Sequence, residues 1–127
     1  MKTNGKTLIS KMMMEMKDNF EIYENNQLSS YYGFWEVENS WIMKYGKGHI
    51  IFQYIPQVGR INMALLKADD FDNFLNCFYL EDDDMEALHT DLLAFRKIIE
   101  ESGCNVKKVE KAVSKYLTKR NKIRFNL

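Results

Sequence analysis

The sequence is poor in the residues that break or cross-link a chain. Its 127 residues include one proline, six glycines and two cysteines. There is no low-complexity linker and no internal repeat, which favours a single domain spanning residues 1–127 with one core. Cys77 and Cys104 are too few and too far apart in sequence for a disulfide framework or a zinc knuckle.

Long apolar runs are also missing. The run of methionines at 12–14 is interrupted by Glu15, so it is too short for the apolar core of a signal peptide. Nothing approaches the ~18 apolar residues of a membrane span. The hydrophobic fraction of 46% and the aromatic fraction of 13% are typical of a globular chain. We therefore expect a cytoplasmic protein that does not associate with membranes.

Net charge is absent too, because 18 basic side chains balance 18 acidic ones. This balance argues against bulk attraction to nucleic acid or to acidic lipid. The charges are nevertheless sorted along the chain. Residues 69–91 contain nine acids and no Lys or Arg, whereas residues 106–127 contain eight bases and a single acid, Glu110. Such asymmetry indicates where a partner is to be sought.

The spacing of the apolar residues predicts an α+β fold. Helical spacing near the N-terminus predicts a helix over about 5–20. Residues 31–66 are rich in aromatic and β-branched side chains separated by short turns. Turns this short join antiparallel neighbours, because a parallel crossover needs about a dozen residues. The strands of this antiparallel meander are expected at about 32–38, 41–45, 49–55 and 60–66.

Helical spacing returns after residue 68. An i, i+3, i+4, i+7 stripe of Phe and Leu predicts a helix over roughly 69–80. A second helix is expected near 83–102, ended by Gly103, and a third from its cap Asn105 to about residue 119. The alternation in the last six residues, KIRFNL, predicts a short terminal strand over 122–127. The sequence therefore predicts an antiparallel sheet with helices packed on one face.

Catalytic side chains are sparse. The two histidines, His49 and His89, have no Ser or Cys at a recognisable spacing, and there is no Gly-x-Ser-x-Gly nucleophile elbow. Glu86 and His89 form one Glu-x-x-His step, whereas a di-iron site needs two such steps and two further glutamates. The consecutive acids after Tyr79 lack the glycine and the alternation of a calcium loop. We expect no enzyme activity, no metal and no cofactor.

The acidic segment provides the leading hypothesis for function. Carboxylates at helix N-termini cap free N–H groups, which accounts for several of its acids. The remaining acids have no Lys or Arg near them in sequence. They are predicted to form an outward-facing acidic patch of Asp70, Glu81, Asp82 and Asp83. The protein is then expected to bind stoichiometrically to a basic protein, such as a nucleic-acid-binding protein or a toxin. Inhibitors, immunity proteins and anti-defence proteins of phages or plasmids act in this way.

The C-terminal bases provide an alternative. Lysines recur at every fourth residue of the predicted third helix, opposite its apolar stripe, and two arginines continue the positive line. Such a row can neutralise phosphates, and it is also typical of a solvated helix face. The residues of this alternative nucleic-acid-binding surface are Lys107, Lys111, Lys115, Lys119, Arg120 and Arg124. A structural or assembly subunit is a third class that the sequence leaves open.

Overall fold

The computed structural model describes residues 4–23, 32–37, 39–67 and 74–126, without the side chains of residues 17–23 and 32–37. It confirms an α+β fold, in which an antiparallel sheet is combined with three helices. In chain order the elements are α1 (Gly5–Tyr23), β1 (Tyr32–Val37), β2 (Ser40–Tyr45), β3 (Gly48–Ile55), β4 (Arg60–Leu66), β5 (Phe74–Glu81), α2 (Met85–Glu101) and α3 (Val106–Arg124). Within the described ranges, no helix is long and apolar enough to cross a membrane.

The sheet is an antiparallel meander whose strands lie in the order β1-β2-β3-β4-β5. Short turns produce this order, since β2 and β3 are joined through Gly46 and Lys47, and β3 and β4 through residues 56–59. Gly46 has a φ of 62°, in the left-handed region that glycine tolerates best. The four predicted strands are confirmed as β1 to β4, apart from residue 38, which lies outside the described residues.

One face of the sheet forms the core together with the helices. Alternate strand residues are buried there, and the register places Trp41 beside Phe52 and Phe52 beside Met63. All three helices contribute buried apolar side chains to this core. The hydroxyl of Tyr45 donates to the backbone carbonyl of Ile99 at 2.6 Å, which ties the sheet to α2. The inner face of the sheet therefore sets the position of the helices.

The predicted helix over 69–80 is wrong, because residues 74–81 form strand β5. Residues 69–73 of that prediction lie outside the described residues. Phe78 and Leu80, two residues apart, alternate towards the core as the residues of a strand do. The register pairs them with Met63 and Ile61 of β4. Pairing with β4 gives the backbone of this segment hydrogen-bond partners and buries one face of its side chains. The helical spacing of the sequence does not reveal this pairing.

The predicted terminal strand over 122–127 is also wrong. Residues 122–124 continue α3, and the backbone N–H of Phe125 closes the helix on the carbonyl of Asn121 at 2.9 Å. The alternation of apolar residues reflects no buried face, because Ile123 is 75% exposed and Phe125 is 61% exposed. Bases in the last turn interact favourably with the helix dipole, which helps the helix to continue. Residue 127 lies outside the described residues.

Local capping signals predicted where α2 ends and where α3 begins, whereas the expected end of α3 near residue 119 is wrong because the helix continues to Arg124. The side chain of Asn105 accepts from the backbone N–H of Lys108 at 3.2 Å and thereby caps α3, as expected. Gly103, with a φ of 58°, follows the end of α2 as predicted. The expected N-terminal helix is confirmed as α1. These ends are set by neighbouring residues, so the sequence alone was sufficient.

Candidate functional site

α3 carries a row of lysines on its solvent side. Its buried residues Val106, Val109 and Val113 pack into the core, and the lysines lie around the opposite side. All six are exposed, and none forms an ion pair with a described residue. We call this set the lysine ridge: Lys107, Lys108, Lys111, Lys115, Lys119 and Lys122.

The single acid of α3 faces away from the lysine ridge. Glu110 accepts a hydrogen bond from the side-chain amide of Asn76 on β5 at 3.0 Å. It also accepts from the hydroxyl of Ser114 at 3.3 Å. This carboxylate therefore lies between α3 and the sheet and forms no ion pair with the described lysines.

Two further lysines extend the positive surface at the start of α3. Lys47, from the turn between β2 and β3, and Lys67, which follows β4, line a depression of about 380 Å³ together with Lys107. Both are exposed. The positive surface thus runs from the sheet turns onto the first turn of α3 and then along the helix.

A buried carboxylate fixes the C-terminal half of α3 to α2. Asp91 is only 3% exposed, and its carboxylate lies 2.5 Å from Nη1 of Arg120 and 3.8 Å from Nη2 of Arg124. The hydroxyl of Tyr116 donates to the same carboxylate at 2.7 Å. Burial and this hydrogen bond raise the pKa of Tyr116 to about 12. We call these four residues the Asp91 clamp.

The clamp changes the interpretation of two predicted nucleic-acid-binding residues. Arg120 donates to Asp91 and, through Nε and Nη2, to the side chain of Asn121 at 3.2 and 2.9 Å. Three of its five N–H donors are therefore used within the fold. Arg124 makes only the longer contact and is 39% exposed at its side chain, so it retains donors for a ligand. The four predicted lysines all lie on the ridge.

Sequence reasoning missed the role of Asp91, although a signal for it was present. The residue falls within the apolar stripe of α2, next to Leu92 and between the buried Leu88 and Phe95. A carboxylate on the core side of a helix needs a cationic or hydrogen-bonding partner, because an unpaired buried charge is costly. The basic residues four apart near the end of the next helix were the available partners.

The predicted acidic patch divides into structural and exposed members. Asp82 accepts from the hydroxyl of Tyr54 at 3.0 Å, and its backbone N–H donates to the carbonyl of Gly59 at 2.9 Å. Burial and the hydrogen bond to Asp82 raise the pKa of Tyr54. Asp82 thereby holds the turn between β3 and β4. Glu81 and Asp83 are exposed, and the fourth predicted member, Asp70, lies outside the described residues.

Asp84, next in the acidic run, has a structural role, as the sequence predicted for several acids of this segment. Its carboxylate accepts from the backbone N–H of Ala87 at 3.1 Å and caps the N-terminus of α2. In the acidic run, Asp82 and Asp84 therefore make hydrogen bonds that stabilise the fold. Its first and third members, Glu81 and Asp83, remain directed to solvent.

The acidic and basic segments meet in a groove at the end of the sheet. The groove has a volume of about 360 Å³ and lies between β5, the start of α2 and the end of α3. Tyr79 and Phe125 are 53% and 61% exposed, and the guanidinium of Arg60 lies 4.6 Å from the ring centroid of Tyr79. We call this feature the end groove, and its principal lining residues are Tyr79, Glu81, Asp83, Arg120, Arg124 and Phe125.

Two shallow depressions connect the lysine ridge to the end groove. The first is lined by Lys115, Lys119 and Lys122 with two small polar residues. The second shares Lys119 with the first and shares Arg120 and Arg124 with the end groove. A chain lying along the ridge therefore has a continuous route to the groove.

The described residues offer little for metal or thiol chemistry. They contain no group of three or more His, Cys, Asp or Glu side chains placed to hold a metal ion. Glu86 and His89, the Glu-x-x-His step, are both exposed. Cys77 and Cys104 are half-buried and are not joined in a disulfide.

Comparison of the chain with protein-family profiles, curated proteins and solved structures gave no significant match. Any proposal about function therefore rests on the side chains of the described surfaces.

Proposed function

We propose that this is a non-catalytic nucleic-acid-binding protein, which holds a phosphate backbone against the lysine ridge of α3. The observation that carries the proposal is the set of six exposed lysines with no ion-pair partner among the described residues. Like charges four residues apart destabilise an isolated helix. A polyanion along the ridge offsets this repulsion and gains free energy by releasing its counterions.

The dimensions of the ridge fit a phosphate backbone. Lys107 and Lys119 are twelve residues apart, which corresponds to about 18 Å along a helix. Each four-residue step advances about 6 Å, whereas the phosphates of one B-form strand follow at about 3.4 Å along the axis. One lysine is then available for roughly every second phosphate, and Lys47 and Lys67 extend the contact at the start of α3.

Replacing three ridge lysines by glutamine is expected to weaken nucleic-acid binding by ~100-fold at 0.1 M salt. In the Lys111→Gln/Lys115→Gln/Lys119→Gln variant, each lost phosphate contact removes about 0.7 from the slope of log K against log[salt] for a single strand and about 0.9 for B-form DNA, so the slope should fall by about 2 to 3. Fluorescence anisotropy with a labelled oligonucleotide, between about 50 and 200 mM salt, measures both quantities.

The matched control removes the same charge from other helices. Lys6, Lys11 and Lys97 are exposed on α1 and α2, so the Lys6→Gln/Lys11→Gln/Lys97→Gln variant changes net charge equally without touching the ridge. It should keep both the affinity and the salt slope. Equal losses in the two variants, or no binding by the natural protein at about 50 mM salt, would contradict the proposal.

A protein partner is a second candidate, supported by the exposed carboxylates of Glu81 and Asp83 beside the exposed rings of Tyr79 and Phe125. Such a partner would present Lys or Arg side chains, and the protein would act on it as an inhibitor or immunity protein acts. Charges at an interface rim chiefly accelerate association and make it sensitive to salt.

The Glu81→Gln/Asp83→Asn variant is then expected to lose a basic protein that the natural chain captures from host extract. With the purified partner, the association rate should fall about 10-fold or more at low salt. Glu86→Gln/Glu101→Gln is the matched control, because Glu86 and Glu101 are also exposed. Capture that survives neutralisation of Glu81 and Asp83 would remove this candidate.

A further inference from the structure

We propose that the outer face of the sheet, the face opposite to the helices, binds one unpaired base of the nucleic acid that lies on the lysine ridge. This inference rests on the proposed function and names its ligand as a single strand. Single-strand binders combine a positive track for the backbone with aromatic side chains on which bases stack. The ridge provides the track, and Tyr79 provides an aromatic ring on the outer face.

The ring of Tyr79 lies on the outer face because side chains alternate along β5. Phe78 and Leu80, its neighbours in sequence, are directed towards the helices and pack into the core. Tyr79 borders the end groove, but its ring lies on the other side of the sheet from Phe125. Arg60 stacks on this ring at 4.6 Å from the centroid and holds it, while the residue stays 53% exposed. The ring is therefore fixed and still open to a ligand.

Two buried polar atoms beside this ring have no hydrogen-bond partner among the described residues. They are Nε of Arg60, a donor, and Oδ1 of Asn62, an acceptor. Both residues lie on the outer face of β4, because Ile61 between them is buried in the core. A buried donor or acceptor without a partner is unfavourable, and most such groups in folded proteins are paired. The edge of a nucleobase presents both acceptors and donors, so it complements this pair of atoms.

The sheet register places a second amide beside the first. Gln53 of β3 is directly opposite Asn62 of β4, and Asn62 is directly opposite Tyr79 of β5. The Cβ atoms of such pairs are about 4.5–5.5 Å apart, so the three side chains form one row across the outer face. Gln53 is exposed at the far end of this row. The row is uncharged, and amides and a ring suit the edge and the plane of a neutral base, whereas a phosphate suits the lysines.

The lysine ridge and the outer face lie on opposite sides of the sheet, because α3 packs on the inner face. Lys47 and Lys67, at one end of the sheet, line the depression where the ridge begins. From Leu66 at this end, four residues of β4 lead to Asn62, a distance of about 14 Å. A duplex is too stiff to turn over such a distance, since its persistence length is about 50 nm. The nucleic acid therefore passes round the end of the sheet as a single strand.

The test compares an oligonucleotide of about 16 nucleotides with an abasic strand of equal length, which keeps every phosphate and lacks the bases. The natural protein should bind the base-bearing strand about 10- to 100-fold more tightly than the abasic strand. The Tyr79→Ala variant should lose that preference, with unchanged affinity for the abasic strand and an unchanged salt slope. Phe125→Ala is the matched control, because Phe125 is 61% exposed but lies at the end of α3. It should keep the preference.

Each pattern of results has a distinct meaning. Equal affinity of the natural protein for the two strands, with the triple lysine variant still weakened on both, overturns the base site and leaves the ridge in place. A preference that survives in Tyr79→Ala, or that is lost in Phe125→Ala, overturns the base site, as does a paired duplex bound as tightly as the base-bearing strand. Binding to none of the three ligands at low salt overturns the proposed function together with the base site. Loss of the preference in Tyr79→Ala alone supports both.

Discussion

Replacement of Asp91 by alanine is expected to lower the free energy of unfolding by about 3 kcal/mol, the lower end of the range for breaking a buried ion pair. The variant leaves the guanidinium of Arg120, 19% exposed, without its carboxylate partner, and deprives the hydroxyl of Tyr116 of its acceptor. The loss should appear as a shift of the urea midpoint with an unchanged m-value, followed by circular dichroism.

A second ion pair on the same helix is the control for this result. Arg96 pairs with Glu100 at 2.6 Å and also with Glu15 of α1, and all three side chains are more exposed than Asp91. Glu100→Ala is expected to cost less than ~1 kcal/mol, because a surface pair contributes little and Glu15 remains as a partner. Equal losses from Asp91→Ala and Glu100→Ala would show that the clamp does not hold α3.

The clamp also links stability to the proposed binding surface. Arg120 and Arg124 are one turn apart, and both reach Asp91 from the end of α3. The same turn presents Phe125 and Arg124 to the end groove. A variant that weakens the clamp should therefore also weaken oligonucleotide binding by the last lysines of the ridge, Lys119 and Lys122.

Elements with local signals were predictable from the sequence. α2 begins where Asp84 caps it, and α3 begins where Asn105 does, because a side-chain oxygen can accept the free N–H groups of its own first turn. The strands β1 to β4 are joined by short turns, which allow only antiparallel neighbours. In each case the information lies within a few residues of the element.

The failures occurred where distant contacts decide the structure. Residues 74–81 follow a spacing that fits a helix, and their pairing with β4 makes them a strand. The residues after Arg120 alternate as in a strand, yet the contacts of Arg120 and Arg124 with Asp91 favour a helix that continues to residue 124. Both Asp91 contacts and all β4–β5 pairs except that of Leu66 with Phe74 join residues more than ten positions apart, which a pattern of local spacing does not report.

The candidate site shows the same division. The lysines of α3 were predictable because a four-residue repeat places them on one side of a helix. That Asp82 is used to hold a turn was not predictable, because its partners Tyr54 and Gly59 come from other strands. The sequence could therefore indicate which charged residues are exposed on a helix. It could not indicate which residues of the acidic run form hydrogen bonds within the fold.

Gly46→Ala is expected to lower the free energy of unfolding by about 3–5 kcal/mol, because Gly46 lies in the turn that supports the start of α3. The φ of 62° at Gly46 costs an L-residue about 1–2 kcal/mol. The added Cβ would lie 2.1 Å from the backbone carbonyl oxygen of Cys104, which has no side-chain freedom with which to move away. The loop between α2 and α3 must then shift, and Asn105, the cap of α3, lies in that loop.

Gly103→Ala separates the two contributions, because Gly103 has a φ of 58° but no atom within 4 Å of an added Cβ. It should cost only the left-handed strain of about 1–2 kcal/mol. Urea denaturation of both variants therefore measures the backbone contact between the turn at Gly46 and the loop at Cys104. Equal losses would mean that this contact is not tight and that the start of α3 is held by the core residues Val106 and Val109 instead. A larger loss in Gly46→Ala means that turn and loop together fix the position of the lysine ridge on the sheet.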